Sequence, residues 1–119
     1  MAEHNALGKL GEEEAVRFLL KNGYQILERN YRYQKAEVDI LAKKDGILAV
    51  VEVKTRSSSF FGSPQDFLKP KQIQRLITAV DAYITINALD LEVRFDIIAI
   101  VKTKKGLELE HLENAFYHF

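Results

Sequence analysis

Apolar and polar positions alternate with two different periods along this chain, and the switches between them divide it into helices and strands. From residue 5 to 22 the apolar positions recur at helical spacing. At about 100° per residue, Ala15, Val16, Phe18 and Leu19 share one arc while Arg17 and Lys21 point away from it. Asn22-Gly23 supplies the stop, in the manner of a C-terminal cap. Residues 24–30 alternate as a strand. Two aliphatic runs, 36–42 and 47–54, flank Asp45-Gly46, the strongest short-range hairpin signal. A small, polar loop with two aromatics covers 57–64. A second helix from Pro70 to Ile86 carries Ile73, Leu76, Ile77, Val80, Tyr83 and Ile84 at helical spacing. Residues 91–101 form a strong strand, Lys104-Lys105-Gly106 a turn and 107–111 a weaker last strand. The order is α-β-β-β-α-β-β, without repeats, linkers or low-complexity tracts, so the expectation is one domain over 1–119. Strands flanking the second helix imply a crossover, hence an α/β fold with a mixed sheet and helices packed on it.

The hairpin carries the first chemical signal. If Asp45-Gly46 is a two-residue loop, Lys44 faces Ile47, Asp39 faces Glu52 and Glu37 faces Lys54, all four of the last on one sheet face. The other face, with Val38, Ile40, Ala42, Ala49, Val51 and Val53, has no polar residue. Facing residues have Cβ atoms about 4.5–5.5 Å apart, and like charges so placed are destabilising. Two carboxylates held that close call for a cation between them, and a divalent metal is the simplest.

The first helix carries a second. Glu12 projects near the middle of the apolar arc, and Gly8 and Gly11 on the same side let the helix approach the sheet closely. An acid on a packed face needs a partner, because an isolated buried charge is very costly. The blander reading makes Glu12 a partly exposed acid beside Glu13 and Glu14, favoured by the helix N-terminal dipole. Mg²⁺ prefers octahedral oxygen coordination and takes one or two carboxylates with water and substrate phosphate, and Mn²⁺ accepts the same donors. Asp39 and Glu52 supply such carboxylates, the Val53 carbonyl is a further donor, and Glu12 binds directly or through water. Lys54, two residues beyond Glu52, is placed to orient a water or to stabilise charge developing on phosphate. The structural alternative is an ion-pair lattice, Glu37 with Lys54 and Asp39 with an arginine.

Composition and charge narrow the setting. The 119 residues, 47% apolar and 29% charged, suit a soluble globular domain able to bury about two-thirds of its unfolded surface. No apolar stretch approaches the roughly 20 residues needed to span a bilayer, and the N-terminus has no signal-peptide pattern. The absence of cysteine excludes disulfides and thiolate metal sites. Cytoplasm is the expected compartment. Net charge is zero, which argues against coating nucleic acid electrostatically. Its distribution is uneven, however. Residues 54–75 carry 5 basic side chains against one acidic, directly after the carboxylate hairpin. A basic segment beside acids suits an anionic polymer. Arg56, together with Lys71, Gln72 and Arg75 at the start of the second helix, are the candidate phosphate contacts. Arg94 and Asp96 share the polar face of their strand and are expected to pair structurally. His4, His111 and His118 are read as incidental, and 116–119 form an apolar tail.

Asp39 followed by Glu52-Val53-Lys54 resembles the Asp…Glu-x-Lys signature of the restriction-endonuclease-like superfamily. More closely, the chain resembles the small bacterial YraN family, an uncharacterised group similar to Holliday-junction resolvases. The resemblance covers Gly8-Lys9-Leu10-Gly11-Glu12, Arg29-Asn30-Tyr31-Arg32, Glu37-Val38-Asp39-Ile40, Val51-Glu52-Val53-Lys54-Thr55-Arg56, Lys71 and Arg94-Phe95-Asp96. It implies an αβββαβ nuclease core with Asp39, Glu52 and Lys54 as catalytic centre and Glu12 as accessory acid; Glu37, on the same sheet face, is a candidate to support them. Ala36 stands where that family usually has glycine, which leaves the placing of Glu37 open.

Two functional expectations follow. One is a Mg²⁺-dependent (or Mn²⁺-dependent) endonuclease acting on branched or structured DNA, for which the two-fold symmetry of a four-way junction favours a homodimer. The other is a non-catalytic nucleic-acid-binding or adaptor module serving a helicase or recombination partner.

Overall fold

The computed structural model describes residues 2–57 and 68–115, with side chains from residue 6 onward. Helix α1 spans Ala2–Lys21, followed by strands β1 (Gln25–Tyr33), β2 (Ala36–Lys44) and β3 (Ile47–Arg56). Helix α2 (Pro70–Ile86) leads to strands β4 (Glu92–Thr103) and β5 (Gly106–Leu112). The strands form one five-stranded sheet in the order β1-β2-β3-β4-β5. Every neighbouring pair is antiparallel except β3 and β4, which are parallel because α2 carries the chain back between them. The expected mixed α/β fold with an αβββαβ core is what the chain adopts. No helix among the described residues is long and apolar enough to cross a membrane. Most of the predicted 57–64 loop and the 116–119 tail, with His118, lie outside the described residues.

The helices take opposite faces. Ala15 and Leu19 of α1 pack on Ile40, Ala42, Ala49, Val51, Ile98 and Ile100. Leu76, Ala79, Val80 and Tyr83 of α2 pack on Val38, Leu41, Leu48, Val50, Phe95 and Ile97. Helix α1 ends as its sequence indicates: Gly23 is left-handed at φ 89°, and Tyr24 N–H donates back to the Leu19 carbonyl at 2.9 Å. Asp45 and Gly46 both have positive φ, 51° and 78°, as a type I′ hairpin turn requires. The β2–β3 register is the expected one, Lys44 facing Ile47 and Ile40 facing Val51.

One expectation fails, and the failure shapes the site. Strict alternation puts Val38 with Ile40, yet Val38 packs under α2 and Ile40 under α1. The side-chain phase of β2 slips at Asp39. Across the sheet, Arg29 faces Ile40 and Tyr31 faces Val38, while the intervening pair, Asn30 and Asp39, drops out of the ladder. Asn30 is left-handed at φ 53°, a conformation asparagine tolerates better than most residues. The side-chain slip therefore sits at Asp39, apart from the register shift that the β1–β2 pairing shows between Ile26 and Glu28.

The two glycines proposed to let α1 approach the sheet behave differently. A Cβ on Gly11 would run into the Thr55 hydroxyl and lie 3.0 Å from Thr55 Cβ, so rotating Thr55 moves the hydroxyl but leaves the tight approach to its Cβ. A Cβ on Gly8 meets nothing within 4 Å, so Gly8 plays no part in that contact. Gly11→Ala is expected to cost about 1–3 kcal/mol of overpacking, at the upper end here, against roughly 1 kcal/mol gained from helix propensity. Gly8→Ala is expected to gain slightly. Thermal melts of the two variants check this; a Gly11→Ala protein as stable as the parent would refute the close packing.

Candidate functional site

Beyond the Ile40–Val51 pair the β2–β3 ladder stops, and carboxylates take over its hydrogen bonds. Asp39 N–H donates to Glu52 Oε2 at 3.1 Å, and Val53 N–H donates to Asp39 Oδ2 at 2.8 Å. Each acid thus binds the other strand's backbone where a carbonyl would ordinarily sit. The two strands part at that point, and the carboxylates line the opening. The pair expected from the register is real, though it is built by this exchange and not by two side chains facing across a continued ladder.

The same parting corrects the second expected pair. Glu37 does not face Lys54; it faces Arg32 of β1, whose Nε donates to Glu37 Oε2 at 2.7 Å. The proposed ion-pair lattice is likewise not formed. Among the described residues, no ion pair within 4.0 Å involves Asp39, Glu52 or Lys54.

A cavity of about 700 Å³ opens over the carboxylates. Asp39, Glu52 and Lys54 line it from the sheet and Glu12 from α1. Arg56, at the end of β3, and Lys71, Gln72 and Arg75, in the first turns of α2, complete the wall. All the sequence-derived candidates therefore share one cavity, Glu37 included at its edge. Pro70 opens α2, and the Gln72 side chain folds back toward Lys69 N–H at 3.5 Å, leaving Lys71 and Arg75 exposed.

The electrostatics follow from burial. Glu52 is only 6% exposed. Its carboxyl is pushed up to about 8 by burial and then by the Asp39 charge, against the opposing pull of Asp39 N–H and Lys54. Asp39 is raised to about 6, again chiefly by burial, with the Val53 N–H bond opposing and the Glu12 charge adding to the rise. Glu12 is raised by burial more than Arg29 lowers it. Neighbouring Glu13 takes the Arg29 guanidinium at 2.7 Å, so Arg29 serves Glu12 only at a distance.

A divalent ion suits this donor set in one specific way. Among the described residues no three acids or histidines are gathered into a ready-made metal cage. Two carboxylates in a roomy cavity instead fit Mg²⁺, which keeps several waters and uses few protein ligands. Glu12 lines the same cavity from α1.

Residues not singled out for function also belong here. Asn30, left-handed in backbone, has its side chain close enough to Glu12 to oppose the rise that burial gives that carboxyl. Its signal in the sequence is an asparagine inside a strand pattern. Lys35, at the β1–β2 turn, and Lys69, before α2, also line the cavity. A separate polar cluster is structural. Asp96, wholly buried, accepts from Arg94 at 2.8–3.1 Å, Asn114 N–H at 3.0 Å and pairs with His111 Nε2 at 2.8 Å. His111 is therefore not incidental, and the expected Arg94–Asp96 pairing holds.

A model of the uncharacterised protein family UPF0102 matches residues 11–100, the stretch that holds every catalytic candidate. The chain belongs to this family. It is 62% identical over 119 residues to a UPF0102 protein of Flavobacterium psychrophilum, covering all of both chains. It is 61% identical to one of Christiangramia forsetii over the same full length. A UPF0102 protein of Phocaeicola vulgatus is 49% identical over 117 residues, 98% of this chain and 97% of that one. UPF0102 membership bears out the YraN-type resemblance and brings no established activity with it.

Proposed function

We propose that this UPF0102 protein is a divalent-metal-dependent endonuclease that hydrolyses phosphodiester bonds in branched or structured DNA. One observation carries the reading. Asp39, half-buried, and Glu52, buried, are held together with no cationic side chain among the described residues paired to either, in a cavity also lined by Lys54, Arg56, Lys71 and Arg75. Two carboxyl groups so placed either keep a proton or, when both ionise, draw in a cation from outside the fold. Asp39 and Glu52 would hold Mg²⁺ or Mn²⁺, with Glu12 supporting. A bound ion of this kind supplies Lewis acidity and makes water more acidic. Lys54 aligns the attacking water or neutralises charge on the phosphate oxygens. Arg56, Lys71, Gln72 and Arg75 position the backbone on either side, and a two-fold DNA substrate would suit a homodimer.

A second reading keeps one observation on its side, the lack of a preformed three-ligand cage among the described residues. It makes the chain a nucleic-acid-binding adaptor for a helicase or recombination partner. Cleavage of a labelled four-way junction, linear duplex and single strand in Mg²⁺, Mn²⁺ and EDTA separates the two. The nuclease reading expects metal-dependent cuts that vanish in Asp39→Ala and Glu52→Ala. No cutting of any substrate, with no metal-dependent rise in melting temperature, overturns it in favour of the adaptor.

A further inference from the structure

A second cavity, about 310 Å³, adjoins the site at the tip of the β1–β2 hairpin. Tyr33 and Gln34 form its hairpin side, and Gln74 and Thr78 its α2 side. Lys35, Ala36 and Arg75 line both cavities, so the two are neighbours across a rim that carries both positive charges. Among the described residues no carboxylate lines the smaller one. Its chemistry thus differs from that of its neighbour: an aromatic ring, two side-chain amides, a hydroxyl and a methyl group, with cations only at the shared edge.

That combination suits one nucleotide. The Tyr33 ring offers a stacking surface that accepts any base, the amides offer donors and acceptors to a base edge, and Lys35 and Arg75 meet the attached phosphate. The volume lies at the small end of the range of about 300–1,000 Å³ for ligand pockets. A base inside a continuous duplex cannot enter. Extruding one costs a few kcal/mol, least when the base is already unpaired. We propose that this cavity holds a single unpaired base flanking the scissile phosphate, and that the protein thereby selects DNA with an unpaired nucleotide beside the cut. This rests on the nuclease reading above and adds to it the structural feature recognised.

The test uses the full chain in Ca²⁺, as a non-hydrolysing substitute, with 2-aminopurine either in a one-nucleotide bulge or in a continuous duplex. The parent protein should quench the bulged probe and bind that DNA more tightly. Tyr33→Ala should restore the emission and weaken bulge binding about tenfold, leaving duplex affinity within about twofold, whereas Tyr33→Phe keeps both. Thr78→Phe fills the cavity from the exposed face of α2 and should reproduce the Tyr33→Ala loss without touching the core. Quenching that survives both Tyr33→Ala and Thr78→Phe, or equal weakening of bulge and duplex, overturns the pocket while the nuclease stands. A parent protein that binds neither DNA overturns the nuclease reading, and the pocket with it.

Discussion

Glu52→Gln is expected to raise the melting temperature of the metal-free protein at pH 8 and to abolish both its Mg²⁺ response and its cleavage activity. The sign follows from linkage. The Glu52 carboxyl holds its proton to about pH 8 in the fold, against an ordinary value of 4.5. A folded state that binds a proton more tightly than the unfolded chain is favoured at low pH. Its contribution is full below about pH 4.5 and is lost as pH rises through about 8. Asp39 adds the same sign between 3.8 and about 6. Glutamine cannot ionise, and it keeps an oxygen for Asp39 N–H. The stability gain at pH 8 is on the order of a few kcal/mol, and it disappears near pH 4. Binding of a divalent ion demands the ionised carboxylate, so the parent should gain more from Mg²⁺ at pH 8 than at pH 5 and the variant nothing at either. Cleavage should fall at least about 10–100-fold, the loss typical even of groups that only support a ligand. Melts at both pH values in EDTA and in Mg²⁺ decide it. A variant no more stable than the parent at pH 8 would mean that Glu52 ionises without strain.

Asp96→Ala is expected to do the reverse, costing about 3–5 kcal/mol of stability with activity per folded molecule unchanged. The carboxylate is fully buried, and burial alone would raise its pKa. The bonds from His111, Arg94 and Asn114 N–H outweigh that and hold it below the usual range. Removing it leaves Arg94, 18% exposed, with the Tyr24 hydroxyl at 2.6 Å and a Glu113 oxygen at 3.7 Å. Such a loss is a large share of the about 5–15 kcal/mol that typically holds a domain together. None of Tyr24, Arg94, Asp96 and His111 lines the candidate site cavity. Denaturant titration beside specific activity tests both halves. A stable but inactive Asp96→Ala protein would move this cluster from structure to function.

Both helices, the Asp45-Gly46 turn and the crossover were legible because each is set by nearby residues. Helical spacing in 70–86, a Gly23 stop and a positive-φ turn pair need no information from elsewhere in the chain. The closeness of Asp39 and Glu52 was legible for the same reason, since a two-residue turn fixes the register of its own hairpin. What lay beyond reach depends on β1. The Arg32 partner of Glu37 comes from the β1–β2 register, which the 24–30 strand pattern does not specify. The slip at Asp39 accompanies a left-handed Asn30 on that neighbouring strand. His111 is likewise bonded to a residue of β4, and no spacing within β5 announces it.

The exchange of ladder bonds at the mouth of the hairpin gives the site its own spectroscopic witnesses. The amide protons of Asp39 and Val53 are held by carboxylates, not by carbonyls, so their chemical shifts and solvent exchange follow the charge on Glu52 and Asp39 respectively. Proton loss shortens and strengthens such a bond; a cation drawn to the same oxygens weakens it. Two backbone resonances, with no added dye, therefore register the titration of the carboxylate pair and the binding of an ion to it.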